Sequence, residues 1–419
     1  MKVVIIAGGQ GTRIASVNSE IPKAMIPIDG KPILEYEVEM AKRYGFSDFL
    51  FIIGHLGEKI SSYFGDGSKW GVNIEYYQEE KPLGTAGALG FLKEKLKEDF
   101  FVFYGDTVMD FDMNAMLAYH KEKNADVTLF LHPNDHPYDS DIVDLDGTGK
   151  VTRFFNKPHE DGFISKNIVN AALFIFSPRI LEEIEVGVKS HIEKNVLPRC
   201  LDKGLNLYGY VSAEYIKDMG TPDRYYAVCN DVISGKVARL NRINPRPAIF
   251  LDRDGTISKE VNLLNKVEDL ELIEGAAEAI KLINGSDYLA IIVTNQPVIA
   301  RNLCSIEELE HIHAALETML GKERAYVNAI YYCPHHPDKG YPEERPEYKI
   351  KCECRKPAPG MLLKAAKDWN IDLSKSYMIG DSDRDVEAGE NAKCKESFKI
   401  NCNEPNALLN IVKQIINKE

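Results

Sequence analysis

The sequence lacks the features of a secreted or membrane-spanning protein. Cysteine is scarce, with 8 in 419 residues, which is too few for a disulfide scaffold and is typical of a reducing compartment. No apolar run approaches the roughly 18 residues that a membrane span needs. The first residues, MKVVIIAGG, are too short an apolar stretch and wrongly flanked for a signal peptide. We therefore expect a cytoplasmic protein that does not enter a membrane.

Positive charge is also in deficit. Lys and Arg number 51 against 64 Asp and Glu, a net charge of −13, which argues against general binding to nucleic acid or to an anionic membrane surface. A local phosphate site remains compatible with this balance, so small-molecule partners are expected, and homo-oligomerisation stays open. With 44% hydrophobic and 27% charged residues the chain is globular in composition. At roughly 100–200 residues per domain, its length predicts two or three domains.

Two short apolar strands, each followed at once by a Gly- or Asp-rich loop, divide the chain. One precedes GGQGTR and the other precedes DRDGT. Such loops, at the carboxyl ends of strands, are where α/β sheets bind ligands. After each start, strand-like runs alternate with amphipathic stretches, which is typical of βαβ units. The sequence thus predicts an α/β protein with two Rossmann-like domains in tandem, each a mainly parallel sheet flanked by helices, at residues 1–235 and 247–419, joined by a linker at 236–246.

The loop GGQGTR, at residues 8–13, has the composition of a phosphate-binding turn. Its glycines let backbone N–H groups approach a polyphosphate, while Arg13 supplies positive charge. Lys23, in the proline-bounded segment PKAMIP, can reach the same phosphates. Because a Gly-rich turn is often only a tight turn, this fragment alone leaves both interpretations open. Its candidate nucleotide-binding residues are Gly8, Gly9, Gly11 and Thr12.

Further motifs follow in the first half: EEKPLGTA, FFVFYGD, NKP, VNAALFIF and KDMGTPDRY. Together with the glycine-rich loop, they resemble the sugar-1-phosphate nucleotidylyltransferase family over about residues 1–235. In that family a sugar 1-phosphate oxygen attacks the α-phosphorus of a nucleoside triphosphate and expels pyrophosphate, so two anions must be brought together. The resemblance implies that Arg13 and Lys23 bind the phosphates, Asp106 and Asp218 hold Mg²⁺, Lys157 contacts the sugar phosphate and Asn170 contacts the sugar hydroxyls.

Glu79 is the candidate for reading the nucleotide base. It lies shortly before Gly84 and Thr85, in the segment where the family places its base-reading residue. A carboxylate only accepts hydrogen bonds, and the guanine edge offers N1–H and N2–H₂ donors, so Glu79 favours GTP over UTP or dTTP. The alternative is an exposed loop acid, just as a single strand-end Asp or a lone Lys is often structural.

The second half opens with DRDGT after the strand AIFL. Here Asp252 can attack phosphorus, while Asp254 can donate a proton to the leaving oxygen and then activate water. DxDG is also a turn sequence, but the later motifs VTNQ, RKP and GDSDRD, in this order, resemble the haloacid dehalogenase phosphatase superfamily. The resemblance implies that Asp252 is the nucleophile, Asp254 the general acid/base, Thr294 and Asn295 orient the phosphoryl group, Lys356 offsets its charge, and Asp381 and Asp385 join Asp252 and the Asp254 carbonyl in holding Mg²⁺.

Three of the cysteines cluster in the second half with histidine nearby. Cys333 and His335 are two residues apart, as are Cys352 and Cys354. Three thiolates and one imidazole are enough for a closed tetrahedral Zn²⁺ site, which would be structural rather than catalytic. The metal would order the polar loop between the two pairs. His336 is an alternative ligand to His335, and free thiols with an incidental histidine are the alternative to a metal site.

The segments CPHHP and CECRKPAPGM closely resemble those of D-glycero-D-manno-heptose 1,7-bisphosphate phosphatases and of zinc-containing histidinol-phosphate phosphatases. The resemblance implies that Arg355 contacts the distal part of the substrate. Such a heptose phosphatase leaves a heptose 1-phosphate, which a nucleotidylyltransferase can consume. The sequence thus predicts a bifunctional enzyme that uses GTP and forms GDP-heptose. The alternatives are the same two reactions on a hexose phosphate or histidinol phosphate, or one half that binds a sugar nucleotide without catalysis.

Overall fold

Apolar strands and amphipathic helices alternate along both halves of the chain, as the sequence predicts. The computed structural model describes residues 1–9, 20–338, 340 and 344–418. These residues cluster into two units. The first comprises Met1–Leu131, Val143–Asn156 and Asn170–Asn241, and the second comprises His132–Ile142, Lys157–Val169 and Arg242–Glu419.

Strands and helices of the N-terminal half have the following bounds. The strands are β1 Val3–Ala7, β2 Pro27–Ile28, β3 Lys31–Pro32, β4 Asp48–Ile53, β5 Asn73–Gln78, β6 Phe100–Tyr104, β7 Thr107–Asp110, β8 Val127–His132, β9 Ile142–Leu145, β10 Val151–Phe155, β11 Val169–Phe176, β12 Leu207–Val211 and β13 Tyr215–Asp218. The α-helices are α1 Ile33–Arg43, α2 Gly57–Phe64, α3 Met113–Glu122, α4 Leu197–Asp202, α5 Pro222–Ile233 and α6 Lys236–Arg239.

A parallel set of strands in the order β5-β4-β1-β6 forms one side of the first unit's sheet, with β5 at the edge. Strands β1, β4 and β6, with apolar runs such as VVIIA and FFVFY, are almost completely buried, as expected where helices cover a parallel sheet. β11 joins β6 in the antiparallel direction, and in the described residues nine strands belong to this sheet. Because β1 and β6 are parallel, the loops after them, which carry Gly8 and Asp106, leave from the same edge of the sheet.

A small two-stranded sheet brings a second acid to that edge. β13 pairs with β7 in the antiparallel direction, so that Asp218 lies opposite Thr107, the residue after Asp106. The backbone N–H of Met219 donates to the carbonyl oxygen of Asp106 at 3.1 Å. Asp106 and Asp218 are far apart in the sequence, and this strand pairing makes them neighbours.

The second unit contains a five-stranded parallel sheet in the described residues, and its strands and helices complete the numbering. The strands are β14 Ala248–Leu251, β15 Leu289–Asn295, β16 Ala329–Cys333, β17 Tyr377–Gly380 and β18 Glu396–Lys399. The α-helices are α7 Ala276–Gly285, α8 Ile306–Lys322, α9 Gly360–Trp369, α10 Asp383–Asn391 and α11 Ala407–Ile416. The strand order is β16-β15-β14-β17-β18. The residues after β14, β15 and β17 therefore meet at one edge.

Within the second unit, helix α8 also contacts the segments drawn from the N-terminal half. The hydroxyl group of Thr318 accepts from the backbone N–H of Ser165 and donates to its carbonyl oxygen, both at 3.1 Å. Lys166 forms an ion pair with Glu310 at 2.5 Å. These contacts explain why residues 157–169 cluster with the second unit, which the linear domain boundaries did not anticipate.

The structure confirms the predicted fold class of two mainly parallel α/β sheets. The boundary between the units falls between Asn241 and Arg242, inside the segment predicted as a linker, and that segment begins with α6. The domain limits at 235 and 247 stay a prediction. Among the described helices, none combines the length and apolar character that crossing a bilayer requires.

Glu317, on α8, gives the stability of the second unit a pH dependence. Burial raises the pKa of its carboxyl group from 4.5 to about 7, despite the positive charge of Lys166. An acid whose pKa is raised in the folded state takes up a proton on folding, so the free energy of unfolding falls as pH rises from about 4.5 to about 7.

We expect Glu317→Gln to reduce this pH-dependent loss by on the order of 1–3 kcal/mol, because the amide has no charge to bury. Urea unfolding at the two ends of this pH range measures the difference. Glu323→Gln, at the exposed end of the same helix, is the matched control and should keep the wild-type pH dependence. An unchanged pH dependence in Glu317→Gln contradicts the assignment.

Candidate active sites

Glu79 lies against the first glycine of the loop after β1. A Cβ atom on Gly8 would meet Glu79 Oε2, so glycine at this position lets the carboxylate lie against the loop. The backbone N–H of Glu79 donates to the carbonyl of Ile53 at 2.8 Å, and its Oε1 accepts from the N–H of Leu83 at 3.3 Å. Burial raises the pKa of the half-buried Glu79 carboxyl group. A partly desolvated acceptor therefore borders the end of β1.

Two carboxylates and two cations lie where β6 and β13 end and β7 begins. Lys23 forms an ion pair with Asp106. Asp218 accepts hydrogen bonds from Arg224 Nη1 at 2.6 Å and from the N–H of Gly220 at 2.7 Å. Burial raises the pKa of Asp218, but the Arg224 charge and the Gly220 bond outweigh it and hold that pKa below its usual value. The site offers the hard carboxylate oxygens that Mg²⁺ prefers.

Gly84 and Thr85 belong to a loop that is tied to residues 190–192. Backbone hydrogen bonds of 2.9 and 3.0 Å join the loop to Ser190. The hydroxyl group of Thr85 accepts from the N–H of Ile192 at 2.9 Å. The loop predicted to bind the nucleotide is therefore anchored to a segment that is distant in the sequence, since Thr85 and Ile192 are 107 residues apart.

Two groups near this site were missed by the sequence analysis. Tyr104, at the end of β6, donates to Glu193 Oε1 at 2.6 Å, and burial together with the Glu193 charge raises the pKa of Tyr104 well above its usual value. Glu37 is fully buried, and burial and the Asp106 charge raise its pKa. Glu37 had a sequence signal, because it falls on the apolar face of α1. Glu193 had none, since only folding brings it to β6.

The other predicted residues of this half are more dispersed. Gly9 is the last described residue of its loop, and Asn170 accepts from the N–H of Ala172 at 3.0 Å. Lys157 clusters with the second unit, where its amine donates to the carbonyl of Asp139 at 2.7 Å. The predicted residues that lie outside the described part of the chain are Gly11, Thr12 and Arg13.

In the second unit, a buried lysine lies between two buried aspartates. Lys356 Nζ is 2.9 Å from Asp252 Oδ1 and 2.6 Å from Asp385 Oδ1, and the lysine side chain is 0% exposed. Burial raises the pKa of Asp252 to about 6, with the Asp385 charge adding to the rise and Lys356 opposing it. This carboxylate is therefore poorly solvated and paired with a buried cation.

The same aspartates, with Asp381, form a group that fits a hard cation. One oxygen from each of Asp252, Asp381 and Asp385 lies within 4.8 Å of the others. Burial and the Asp385 charge raise the pKa of Asp381, as expected for acids gathered in one place. Gly255 allows this packing, because its φ is +74° and a Cβ there would lie 2.2 Å from Asp381 Oδ2.

Strand β15 supplies the remaining predicted phosphate contacts. The hydroxyl group of Thr294 is almost fully buried at the end of the strand. The amide of Asn295 donates to the carbonyl of Lys356 at 3.1 Å and accepts from its N–H at 3.0 Å. Asn295 therefore holds the backbone that carries Lys356, and its predicted role on the phosphoryl group stays a prediction.

The cysteine cluster forms as the ligand spacing predicts. The Sγ atoms of Cys333, Cys352 and Cys354 lie 3.2–3.5 Å apart, too far for disulfides, and His335 Nδ1 is 3.4 Å from Cys354 Sγ. Hydrogen bonds from Cys333 and Cys352 lower the pKa of Cys354 to about 5, although burial opposes them. The group comprises His335 rather than His336 and is compatible with tetrahedral zinc.

Arg355 connects this cluster to the aspartate site. Its Nη1 donates to the carbonyl oxygen of His335 at 3.0 Å. Burial lowers the pKa of its guanidinium group, and the next residue along the chain is the buried Lys356. The loop of the cluster thus positions two successive cations. Residues 339 and 341–343 of that loop lie outside the described residues.

Each half of the chain is similar to known enzymes. The Nucleotidyl transferase family model matches residues 2–235, and the HAD-hydrolase-like model matches residues 353–397. A UTP–glucose-1-phosphate uridylyltransferase of Synechocystis is 31% identical over 267 residues, covering 60% of this chain and 68% of the relative. A mannose-1-phosphate guanylyltransferase of Mycobacterium tuberculosis is 32% identical over 248 residues, covering 59% and 66%.

The C-terminal half matches a different enzyme. A D-glycero-beta-D-manno-heptose-1,7-bisphosphate 7-phosphatase of Haemophilus ducreyi is 40% identical over 156 residues, covering 37% of this chain and 83% of the relative. The matches fall on separate parts of the chain and each covers about two thirds or more of an enzyme. The chain therefore belongs to the nucleotidyl transferase family and is a fusion of such an enzyme with a HAD-like phosphatase.

Proposed function

We propose that this enzyme removes the 7-phosphate of D-glycero-D-manno-heptose 1,7-bisphosphate and transfers a guanylyl group from GTP to the resulting heptose 1-phosphate. The products are inorganic phosphate, pyrophosphate and GDP-heptose. The observation that carries the proposal is the presence of both catalytic families in one chain, because the product of one reaction is the acceptor for the other. The proposed product links the protein to glycan assembly.

In the phosphatase reaction, Asp252 attacks the phosphorus and the bond to the sugar oxygen breaks. The carboxyl proton of Asp254 passes to that oxygen, which leaves as an alcohol. Water then attacks the phosphoaspartate, the Asp254 carboxylate takes the water proton, and inorganic phosphate leaves with both acids restored. Lys356, 2.9 Å from Asp252, offsets the charge of the bound phosphoryl group. Asp252, Asp381 and Asp385 would hold Mg²⁺, which supplies further charge neutralisation.

In the transferase reaction, the sugar phosphate attacks the α-phosphorus and pyrophosphate leaves. Asp106 and Asp218 would hold Mg²⁺, which would neutralise the charge of the phosphates. In the structure Asp106 is paired with Lys23 and Asp218 with Arg224. Incoming phosphates offer Lys23 a stronger partner than one carboxylate, so its transfer to the phosphates would free Asp106 for the metal.

Glu79 supports the choice of GTP. Its carboxylate borders Gly8 at the end of β1 and is partly desolvated. A partly buried carboxylate oxygen that lacks a hydrogen-bond donor raises the free energy of the complex. Guanine, with two donors on one edge, is therefore favoured over a base that presents acceptors there. A relative from Mycobacterium tuberculosis is a guanylyltransferase, while the Synechocystis relative is a uridylyltransferase, so the assignment to GTP rests on Glu79.

We expect Glu79→Gln to lower kcat/KM for GTP about 10- to 100-fold, because the amide replaces one of two acceptors with a donor. The discrimination between GTP and ITP, which lacks the N2 amine, should shrink. Pyrophosphate release with each nucleotide measures both effects. Glu80→Gln, at the exposed neighbour, should match the wild type. A wild type that prefers UTP or dTTP would refute the GTP assignment.

Single substitutions should impair one of the two reactions and spare the other. Asp252→Asn removes the attacking oxygen and should lower phosphate release at least about 1,000-fold, while leaving pyrophosphate release from GTP and added heptose 1-phosphate intact. Asp106→Ala should do the reverse, with a loss of about 100-fold or more in transfer. Separate detection of phosphate and pyrophosphate checks both, on a panel containing both heptose anomers, a hexose phosphate and histidinol phosphate. An unaffected reaction in either variant would show that the unit concerned is not catalytic as assigned.

The cysteine cluster would act as a structural zinc site that holds the loop carrying Arg355 and Lys356. Cys354→Ser should lower the zinc content from about one ion per chain, lower the thermal unfolding temperature and reduce phosphatase activity, since the loop loses its anchor. Transfer should persist. Zinc is measured by elemental analysis of the purified protein. Cys402→Ser, outside the cluster, is the control, and zinc-free wild-type protein would contradict the site.

A further inference from the structure

Gln296 and Arg253 both donate to the carboxyl group of Asp254. Arg253 Nε lies 2.9 Å from Asp254 Oδ1 and Arg253 Nη2 lies 2.8 Å from Oδ2, a two-point contact that fixes the carboxyl plane. Gln296 Nε2 donates to Oδ2 at 2.8 Å. Ser258 approaches Oδ1 only at 3.3 Å. Oδ2 therefore has two good donors, while the second contact of Oδ1 is long.

Gln296 is itself held from two sides. Its Nε2 also donates to Thr294 Oγ1 at 3.0 Å, and the side chain is buried. Its backbone N–H donates at 2.8 Å to the carbonyl of Cys333, the last residue of β16 and a member of the cysteine cluster. A buried amide with this many fixed contacts has one orientation, so it can transmit that orientation to its partner.

Arg253 alone would give each carboxyl oxygen of Asp254 one donor and would not distinguish them. Its side chain is 0% exposed, and in the described residues its only ion pair is with Asp254. This ion pair holds the carboxyl group of Asp254 against the neighbouring residue of the same loop. In the proposed reaction the same carboxyl group must also release and accept a proton. The additional donor on Oδ2 breaks the equivalence of the two oxygens.

We propose that Gln296 is a positioning residue for the phosphatase reaction. By donating to Oδ2 of Asp254, it leaves Oδ1 for proton exchange with the leaving oxygen and with water. This inference rests on the proposed phosphatase function and deepens it. With Oδ2 occupied by Arg253 and Gln296, Oδ1 carries the proton in the first half-reaction. It gives that proton to the departing alcohol and takes one from water in the second half-reaction.

The leaving group distinguishes this role from a structural one. p-Nitrophenolate is stable as an anion and leaves without a proton, whereas the 7-oxygen of the heptose bisphosphate is a primary alkoxide and needs one. The parameter kcat/KM reports steps up to release of the leaving group, and kcat includes hydrolysis of the phosphoaspartate, which both substrates share. If Asp254 is wrongly oriented, kcat/KM should therefore fall for the heptose bisphosphate but not for p-nitrophenyl phosphate. Hydrolysis of the phosphoaspartate should be affected equally with both substrates.

The test compares Gln296→Met with the wild type on both substrates, using the full chain. The expected result is a fall of about 10-fold or more in kcat/KM for the heptose bisphosphate, with kcat/KM for p-nitrophenyl phosphate changed less than about 2-fold. Asp254→Asn should show the same selectivity more strongly. Gln414→Met, exposed on α11, is the matched control and should be unchanged.

Equal losses on both substrates, or no loss on either, would overturn the role of Gln296 while leaving the phosphatase assignment intact. A wild type that hydrolyses neither substrate would overturn both. Retained turnover of p-nitrophenyl phosphate also reports that the variant has folded. Gln296→Glu, which places a like charge beside Asp254, gives a second variant and should show the same selective loss.

Discussion

The buried contact of Lys356 with Asp252 and Asp385 is the constraint around which the second unit is arranged. Moving these charges out of water is costly, and the cost is offset only while all three remain together. Asp252 directly follows strand β14, Asp385 lies in the first turn of helix α10, and the lysine comes from the loop after the cysteine cluster. The loop must therefore reach the sheet edge for the charges to be balanced. That requirement makes the position of the loop as important as the aspartates.

The surrounding contacts meet that requirement. Asn295 holds the backbone of Lys356 with two hydrogen bonds, and Arg355 donates to the carbonyl of His335. The next residue after Asn295 is Gln296, whose backbone is bonded to Cys333. The end of β15 is thus joined to both the lysine loop and the cysteine cluster. Removing any one of these contacts would loosen the same small region, which is why the proposed zinc site bears on the proposed phosphatase reaction.

Sequence patterns predicted the parts of the fold that depend on local composition. The apolar runs before GGQGTR and DRDGT are the first strands of their sheets, and the cysteine pairs assemble with His335 at ligand distance. The choice between His335 and His336 could not be made from spacing, because both lie within reach of the cluster along the chain. Glu193 and the contact of α8 with Ser165 also escaped prediction, since each joins segments remote in sequence. The individual role of each site residue stays a prediction.

By itself, the sequence determined two α/β halves, their strand-end loops and the kinds of side chain that those loops carry. These follow from hydrophobic periodicity and from residue types at short spacing, which are local properties. Tertiary structure alone decided that Lys356 lies between two aspartates, that Asp218 lies opposite Thr107, and that Gln296 reaches Asp254. Such contacts depend on strand order and register, which bring distant residues to one edge. The desolvation that raises the pKa of Asp252 exists only after that packing.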